Sequence, residues 1–140
     1  METRFGSDDV EYITEESAST YWKLAEAYGH PFYERIATEI TNATNPDRVL
    51  DVGTGPGILP RYLADRIDAE IDAFDRTRAL VAYGAQHHDA INFMVADAYH
   101  IPVRNDVYKL VTCTGVYHAL DAPVDMLNEL YRVLALHGEA

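Results

Sequence analysis

The chain has a single cysteine, Cys113, and two lysines, Lys23 and Lys109, among 140 residues. A lone thiol excludes an intramolecular disulfide and suits a reducing compartment. Cations of any kind are scarce: Lys and Arg number 11 against 23 Asp and Glu, for a formal net charge of −12. That balance argues against a broad phosphate-binding face, and so against a nucleic-acid partner. No apolar run approaches the roughly 20 residues that span a bilayer, and the N-terminus lacks a signal-peptide core. The expectation is a cytoplasmic protein with no membrane partner, long enough for one domain with a real core.

Glycine is not abundant, but three of the eight glycines crowd into one stretch, Val49 to Gly57, VLDVGTGPG. Val49, Leu50 and Val52 read as a buried strand, and Gly53, Gly55 and Gly57 as the turn out of it. Leu59, Tyr62 and Leu63 then take helical spacing, with Pro60 tolerated in the first turn. Glycine serves such a corner twice, by accepting positive φ and by letting a ligand lie against bare backbone. The helix start adds unpaired N–H groups.

Residues 1–16 are acidic and poor in large apolar groups, which predicts a flexible segment ahead of a single domain over 17–140. Two amphipathic helices follow, separated at Gly29-His30-Pro31, with Tyr21, Trp22, Leu24 and Tyr28 on the first and Phe32, Ile36 and Ile40 on the second. Beyond the glycine corner, strands are predicted at 69–75, 91–96 and 107–114, with helices at 77–88 and 124–134. Asp121 is the expected N-cap of the last helix, and Pro123 its first-turn proline. This alternation predicts an α/β fold with a parallel sheet and helices on both faces. Asp75 ends the second strand, where an acid reaches the ribose hydroxyls of a nucleotide held over the glycines. His87 and His88 are adjacent on a helix, point about 100° apart and have no i, i+4 partner, so they read as surface residues and no metal site is expected.

The dinucleotide fingerprint G-x-G-x-x-G/A would place its third small residue at Ile58, which weighs against NAD. G-x-G-x-G preceded by Asp51 instead resembles motif I of the class I S-adenosylmethionine-dependent methyltransferases. Further pieces of that pattern occur in order: Phe74-Asp75, Asp97-Ala98 with Ile101-Pro102, the segment Thr112 to His118, and NELYRVL at 128–134. The group that includes the ubiquinone and menaquinone biosynthesis methyltransferases is the most similar, over roughly residues 45 to 138. The resemblance implies a Rossmann-like methyltransferase fold with strand order 3-2-1-4. It places Asp51 and the loop Gly53, Thr54, Gly55 and Gly57 on the methionyl part, and Asp75 with Arg76 on the ribose side. Asp97 and Ala98 would lie around the adenine, and Thr114 to Tyr117 on the methyl-donor side.

Methyl transfer from S-adenosylmethionine to a small-molecule acceptor, leaving S-adenosylhomocysteine, is the implied activity. His118 and Tyr117 are the placed candidates for a base, with His100 behind them. The alternative is a noncatalytic cofactor-binding module that works through a partner chain. Lys109 stands where the family usually has an aspartate supporting the fourth strand, and three C-terminal strands of the pattern are not expected in this chain. Such a truncation would leave strand 4 as an exposed edge, open to a homodimer or a partner chain.

Overall fold

A computed structural model describes residues 15–114 and 121–139 of the chain. The expected flexible segment therefore lies almost wholly outside the described residues. The elements are α1 (Glu15–Ala43), β1 (Arg48–Val52), α2 (Ile58–Ala64), β2 (Glu70–Asp75), α3 (Arg78–His87), β3 (Ile91–Val95), β4 (Tyr108–Cys113), α4 (Pro123–Val133) and β5 (Leu134–Glu139). All five strands form one sheet, ordered β3-β2-β1-β4-β5, and every neighbouring pair is parallel.

Alternation along each strand divides the core into two layers. Leu50, Val52, Phe74 and Val111 face α4, where Met126, Leu130 and Val133 close over them. Val49, Ile71, Ala73 and Leu110 face the other way, onto Leu59 and Leu63 of α2 and Ala37 of α1. A sheet buried on both faces favours near-continuous apolar strands, and β1 comes close with Val49, Leu50 and Val52, whereas β2 alternates apolar with acidic residues. Asp51 and Asp72 interrupt those strands and are nonetheless buried.

Two sequence expectations are corrected here. The segment through Gly29-His30-Pro31 does not split the N-terminal region into two helices: α1 is continuous over 29 residues with Pro31 inside it. Proline removes one ladder hydrogen bond, but side-chain pairs to α2 and the turn after it flank the lesion. Glu26 meets Arg61, Glu34 meets Arg66, and His30 meets the Tyr62 hydroxyl. The second correction concerns β4, which is not an edge. Leu134–Glu139 runs back beside it as β5, with Tyr108 opposite Leu134, so the reason for expecting assembly along β4 is removed. The N-cap of α4 is Ala122 rather than Asp121, with Pro123 at the first helical position.

The support that Lys109 seemed to withhold from β4 comes from its neighbour. Tyr108 is fully buried, and its hydroxyl donates to Asp72 Oδ2 at 2.7 Å. Asn92 Nδ2 donates to Asp72 Oδ1 at 3.0 Å, and an Arg48 guanidinium nitrogen lies 3.6 Å from Oδ2. This cluster joins β1, β2, β3 and β4 through one buried carboxylate. Tyr108→Phe should cost about 1–3 kcal/mol, because it leaves that carboxylate short of a donor. Urea unfolding checks this, and a loss below about 0.5 kcal/mol would assign the cluster no stabilising role.

Candidate functional site

The corner after β1 is built on three left-handed glycines, at φ 68° for Gly53, 59° for Gly55 and 87° for Gly57. Thr54 N–H donates to the Phe74 carbonyl at 2.9 Å, which ties the loop to the end of β2, and Gly57 N–H donates back to the Thr54 carbonyl at 3.1 Å. The glycines differ in what surrounds them. A Cβ on Gly57 would lie 2.5 Å from Phe93 Cζ, so this residue is small because β3 packs on it. A Cβ on Gly55 would meet only Tyr21, in ordinary van der Waals contact at 3.7 Å, so packing does not force this residue to be small. Gly84 of α3, which the sequence reading did not single out, meets the same Phe93 ring and the Pro56 carbonyl. The phenyl ring is thus wedged between two glycines, and α3 sits hard against the loop.

Two carboxylates close on this corner. Asp75 bridges backbone donors: Gly55 N–H reaches Oδ2 at 3.0 Å, and Thr77 N–H reaches Oδ1 at 2.8 Å. One side chain therefore links the glycine loop to the start of α3. Asp51 is 2% exposed and accepts from the Thr112 hydroxyl at 2.7 Å. Burial pushes its pKa up to about 6; the Thr112 and Thr54 hydroxyls hold it back, and Asp75 raises it further. Thr54 Oγ1 itself is buried with no hydrogen-bond partner of regular geometry among the described residues.

A cavity of about 260 Å³ opens over these groups. Gly53, Gly55, Asp75, Thr77 and Thr114 line it from the sheet side, and Tyr21, Phe32 and Tyr33 of α1 cover it. Trp22 helps seat α1 there, 4.8 Å from the His88 ring and under the Arg61 guanidinium at 5.7 Å. His88 is accordingly half-buried rather than a surface residue, whereas His87 is exposed and stacks on Tyr83 at 4.0 Å. Helical spacing alone reads Tyr21 and Phe32 as core aromatics, and only the family resemblance implies N-terminal helices that cap the cofactor; Tyr33 was not singled out, because nothing in helical spacing distinguishes a core ring from one that roofs a cavity.

Of the residues expected to bind the cofactor, Gly53, Gly55, Asp75 and Thr114 line this cavity, whereas Asp51 and Thr54 are buried outside its wall, Gly57 is packed on Phe93, and Arg76 is next to Asp75 in the chain. Asp97 and Ala98 follow β3 and are not in the cavity wall. Asp97 Oδ1 accepts from Tyr99 N–H at 2.8 Å, and Ala98 belongs to the core layer under α4. This loop is held from α4, a connection that sequence reading did not find. Arg132 donates to the Ile101 carbonyl at 2.9 Å and the Val103 carbonyl at 2.8 Å, and Glu129 accepts from Ile101 N–H at 2.9 Å. His100 is exposed, 3.8 Å from Asp97. Tyr117 and His118 lie outside the described residues.

Gly57 and Gly55 give a clean contrast. Gly57→Ala should destabilise the fold by more than Gly55→Ala, because both incur the left-handed backbone cost of about 1–3 kcal/mol and only Gly57 adds the collision with Phe93. Pairing Gly57→Ala with Phe93→Leu should recover part of the loss in thermal unfolding. Equal destabilisation by the two single substitutions, with no recovery, would contradict the wedge.

Comparison with known proteins places this geometry in a family. Residues 49–138 match the family model described as a methyltransferase domain. Malonyl-[acyl-carrier protein] O-methyltransferase of Geobacter sulfurreducens is 35% identical over 115 residues, covering 75% of this chain and 41% of that protein. Demethylmenaquinone methyltransferase of Thermus thermophilus is 30% identical over 111 residues, covering 76% of this chain and 50% of that one. The chain thus spans half or less of the length of these curated relatives. A Methanococcus maripaludis protein designated an S-adenosyl-L-methionine-dependent methyltransferase superposes with a TM-score of 0.81 at 24% identity, over 89% of this chain and 61% of that one, and so shares the fold. With the glycine corner inside the matched segment and the same strand arrangement around it, the chain belongs to the methyltransferase-domain family.

Proposed function

We propose that the chain binds S-adenosylmethionine over the Gly53–Gly57 corner and serves methyl transfer to a small-molecule acceptor. The observation that carries this is the convergence of two carboxylates, from the neighbouring strands β1 and β2, on one bare glycine corner. The donor set suits the ligand. Asp51 is desolvated, which favours a cation beside it, and Thr54 Oγ1 is a buried oxygen whose interaction with Asp51 falls short of regular hydrogen-bond geometry. Asp75 already accepts two backbone N–H groups, and its carboxylate retains lone pairs for ribose hydroxyls.

In this reading Asp51 and the loop backbone of Gly53, Thr54, Gly55 and Gly57 hold the methionyl part. Asp75 and Arg76 hold the ribose side and Thr114 faces the methyl donor, while Asp97 and Ala98, outside the cavity wall, are given no contact with the cofactor. Held by these residues, the cofactor would supply an activated sulfonium methyl group for transfer to the acceptor. The chain's own task is alignment, which Asp75 serves by fixing loop and helix to each other, and exclusion of water, which α1 serves by covering the cavity. Tyr117 and His118, three and four residues after Thr114 in the sequence, are the proposed candidates for the base that takes the acceptor's proton. The curated relatives carry names for different acceptors, a malonyl-acyl carrier protein and a demethylmenaquinone, so what they support in common is the transferred group. Among the described residues no helix is long and apolar enough to cross a membrane.

Titration calorimetry with S-adenosylmethionine, S-adenosylhomocysteine and NAD tests the reading. The first two should bind and NAD should not; tight NAD binding, or none by any of the three, would overturn it. Asp75→Ala should weaken the adenosyl ligands by about 1.5–3 kcal/mol, and an unchanged affinity in a folded variant would remove Asp75 from the site.

Asp51 makes the same site sensitive to pH. Its folded pKa of about 6 exceeds the ordinary carboxylate value, so between roughly pH 4 and pH 6 the folded state holds more protons than the unfolded one. Stability must therefore fall as pH rises through that window. Asp51→Asn should abolish the slope and raise stability at pH 7 by up to about 3 kcal/mol, while weakening S-adenosylmethionine. Denaturant midpoints from pH 4 to 7 check the sign, and a stability that rises across the window by way of Asp51 would contradict it.

A further inference from the structure

The part of α1 that comes before Pro31 rests on one ring. Of its large apolar side chains, Tyr21, Leu24 and Tyr28 are exposed, and Trp22 packs against the core. Trp22 sits on a histidine, its indole 4.8 Å from the His88 ring. His88 in turn lies 6.4 Å from Phe93, the ring wedged between Gly57 and Gly84. The His88 Cδ2 is 3.7 Å from where a Cβ on Gly57 would stand, so the imidazole borders the glycine corner itself. Tyr21, next to Trp22 in the chain, lines the cavity and is the neighbour of Gly55. The seat of Trp22 therefore decides whether Tyr21 covers the corner.

The His88 Nε2 is buried and has no hydrogen-bond partner among the described residues. A neutral imidazole can keep a bare lone pair there, but an imidazolium carries N–H on both nitrogens. A buried charged donor without an acceptor is costly. Burial accordingly lowers the His88 pKa from its ordinary 6.5, and Arg61 of α2 and the adjacent His87 lower it further. Glu26 of α1 and Asp65 after α2 pull the other way without prevailing, as does the C-terminus of α3, which His88 caps. An indole face attracts cations, but Arg61 already stands over Trp22 at 5.7 Å and repels a second one. A pKa lowered in the seated state makes the seat firm above 6.5 and lost as pH falls through the lower, seated value. That sign is opposite to the contribution of Asp51.

We propose that His88 is a proton-operated positioning residue for the cavity over the glycine corner. Neutral, it seats Trp22 and keeps the Tyr21 face of α1 over Gly55; protonated, it displaces the indole and uncovers the cavity. The step is a reversible proton uptake by one imidazole, the kind of group whose charge changes within the physiological range. The switch stands on the stack of Trp22, His88 and Phe93, and what it controls rests on the cofactor reading above. Its consequence is a cofactor affinity that weakens on acidification by way of α1, separately from the titration of Asp51 within the site.

Trp22 is the one tryptophan of the chain, so the emission maximum of the full chain reports its seat directly. Between about pH 7.5 and about pH 5 the maximum should move to the red with a midpoint below 6.5, while far-ultraviolet circular dichroism stays constant. His88→Phe, which keeps a neutral ring in place, should hold the maximum fixed across that range, and His87→Gln should behave as the unaltered chain does. Calorimetry at the two ends of the range should show S-adenosylhomocysteine affinity falling at least about 3-fold more in the unaltered chain than in His88→Phe. Asp51 titrates in both proteins, so the difference belongs to His88. If His88→Phe does not fold, His88→Gln takes its place. The proposal is overturned by a maximum that does not move in the unaltered chain, by movement that persists in the His88 variant or arrives only with loss of helix, or by equal pH dependence of affinity in the two. If S-adenosylhomocysteine binds neither protein, the cofactor reading falls and with it the control of affinity, while the fluorescence still decides whether His88 seats Trp22.

Discussion

The Asp75 carboxylate is the joint on which the site depends. Its two oxygens take the N–H groups of Gly55 and Thr77, which places the tip of β2, the glycine loop and the start of α3 in fixed relation. Neither backbone donor has a regular secondary-structure partner to turn to, since one lies in a left-handed turn and the other at a helix entrance. A buried or half-buried N–H left unpaired costs as much as a lost hydrogen bond. Strand order supplies the rest of the constraint. β1 lies between β2 and β4, so anything at the end of β1 is flanked by Asp75 on one side and by Thr112 and Thr114 on the other.

Around that joint, stability and binding work against each other. Asp51 occupies a position that an apolar side chain would fill at less cost, as Val49 on the same face of β1 does. One hydroxyl contact from Thr112 only partly offsets the desolvation that moves its pKa to about 6. Thr54 adds a second polar group without a regular partner. Unsatisfied polarity gathered at one corner, beside strands that are otherwise well packed, is the pattern expected of a binding site. The Asp72 cluster is the contrasting case. Its carboxylate has donors from Tyr108 and Asn92, faces no cavity lined by the glycine loop, and serves to unite four strands.

Much of this architecture was legible from spacing alone. Alternation of apolar runs and helical periods gave the parallel sheet, and the three glycines gave the corner, because backbone conformation and side-chain period are local properties. The position of Asp75 also followed, since a βαβ unit returns its second strand beside the first. Misreadings came where distant residues decide. Gly29-His30-Pro31 has every mark of a helix break, yet Arg61, Tyr62 and Arg66 lie more than thirty residues away and bridge it. Leu134 to Glu139 carries little strand signal of its own and becomes β5 because β4 presents an unpaired ladder. Tyr21 and Phe32 were visible as aromatics on a helix, but their relation to the glycine corner depends on how α1 crosses α2 and α3. The Glu129 and Arg132 anchors on the loop after β3 were hidden in the same way, inside a segment noticed only for its resemblance.

An amide-resolved NMR titration of the full chain with S-adenosylhomocysteine probes the central claim most directly. The account expects the largest shift changes at the backbone amides of Gly53, Gly55, Asp75 and Thr77, with saturation at one ligand per chain. Unmoved signals at those four amides, or changes centred instead on the charged groove of Glu26, Glu34, Arg61 and Arg66 between α1 and α2, would contradict it.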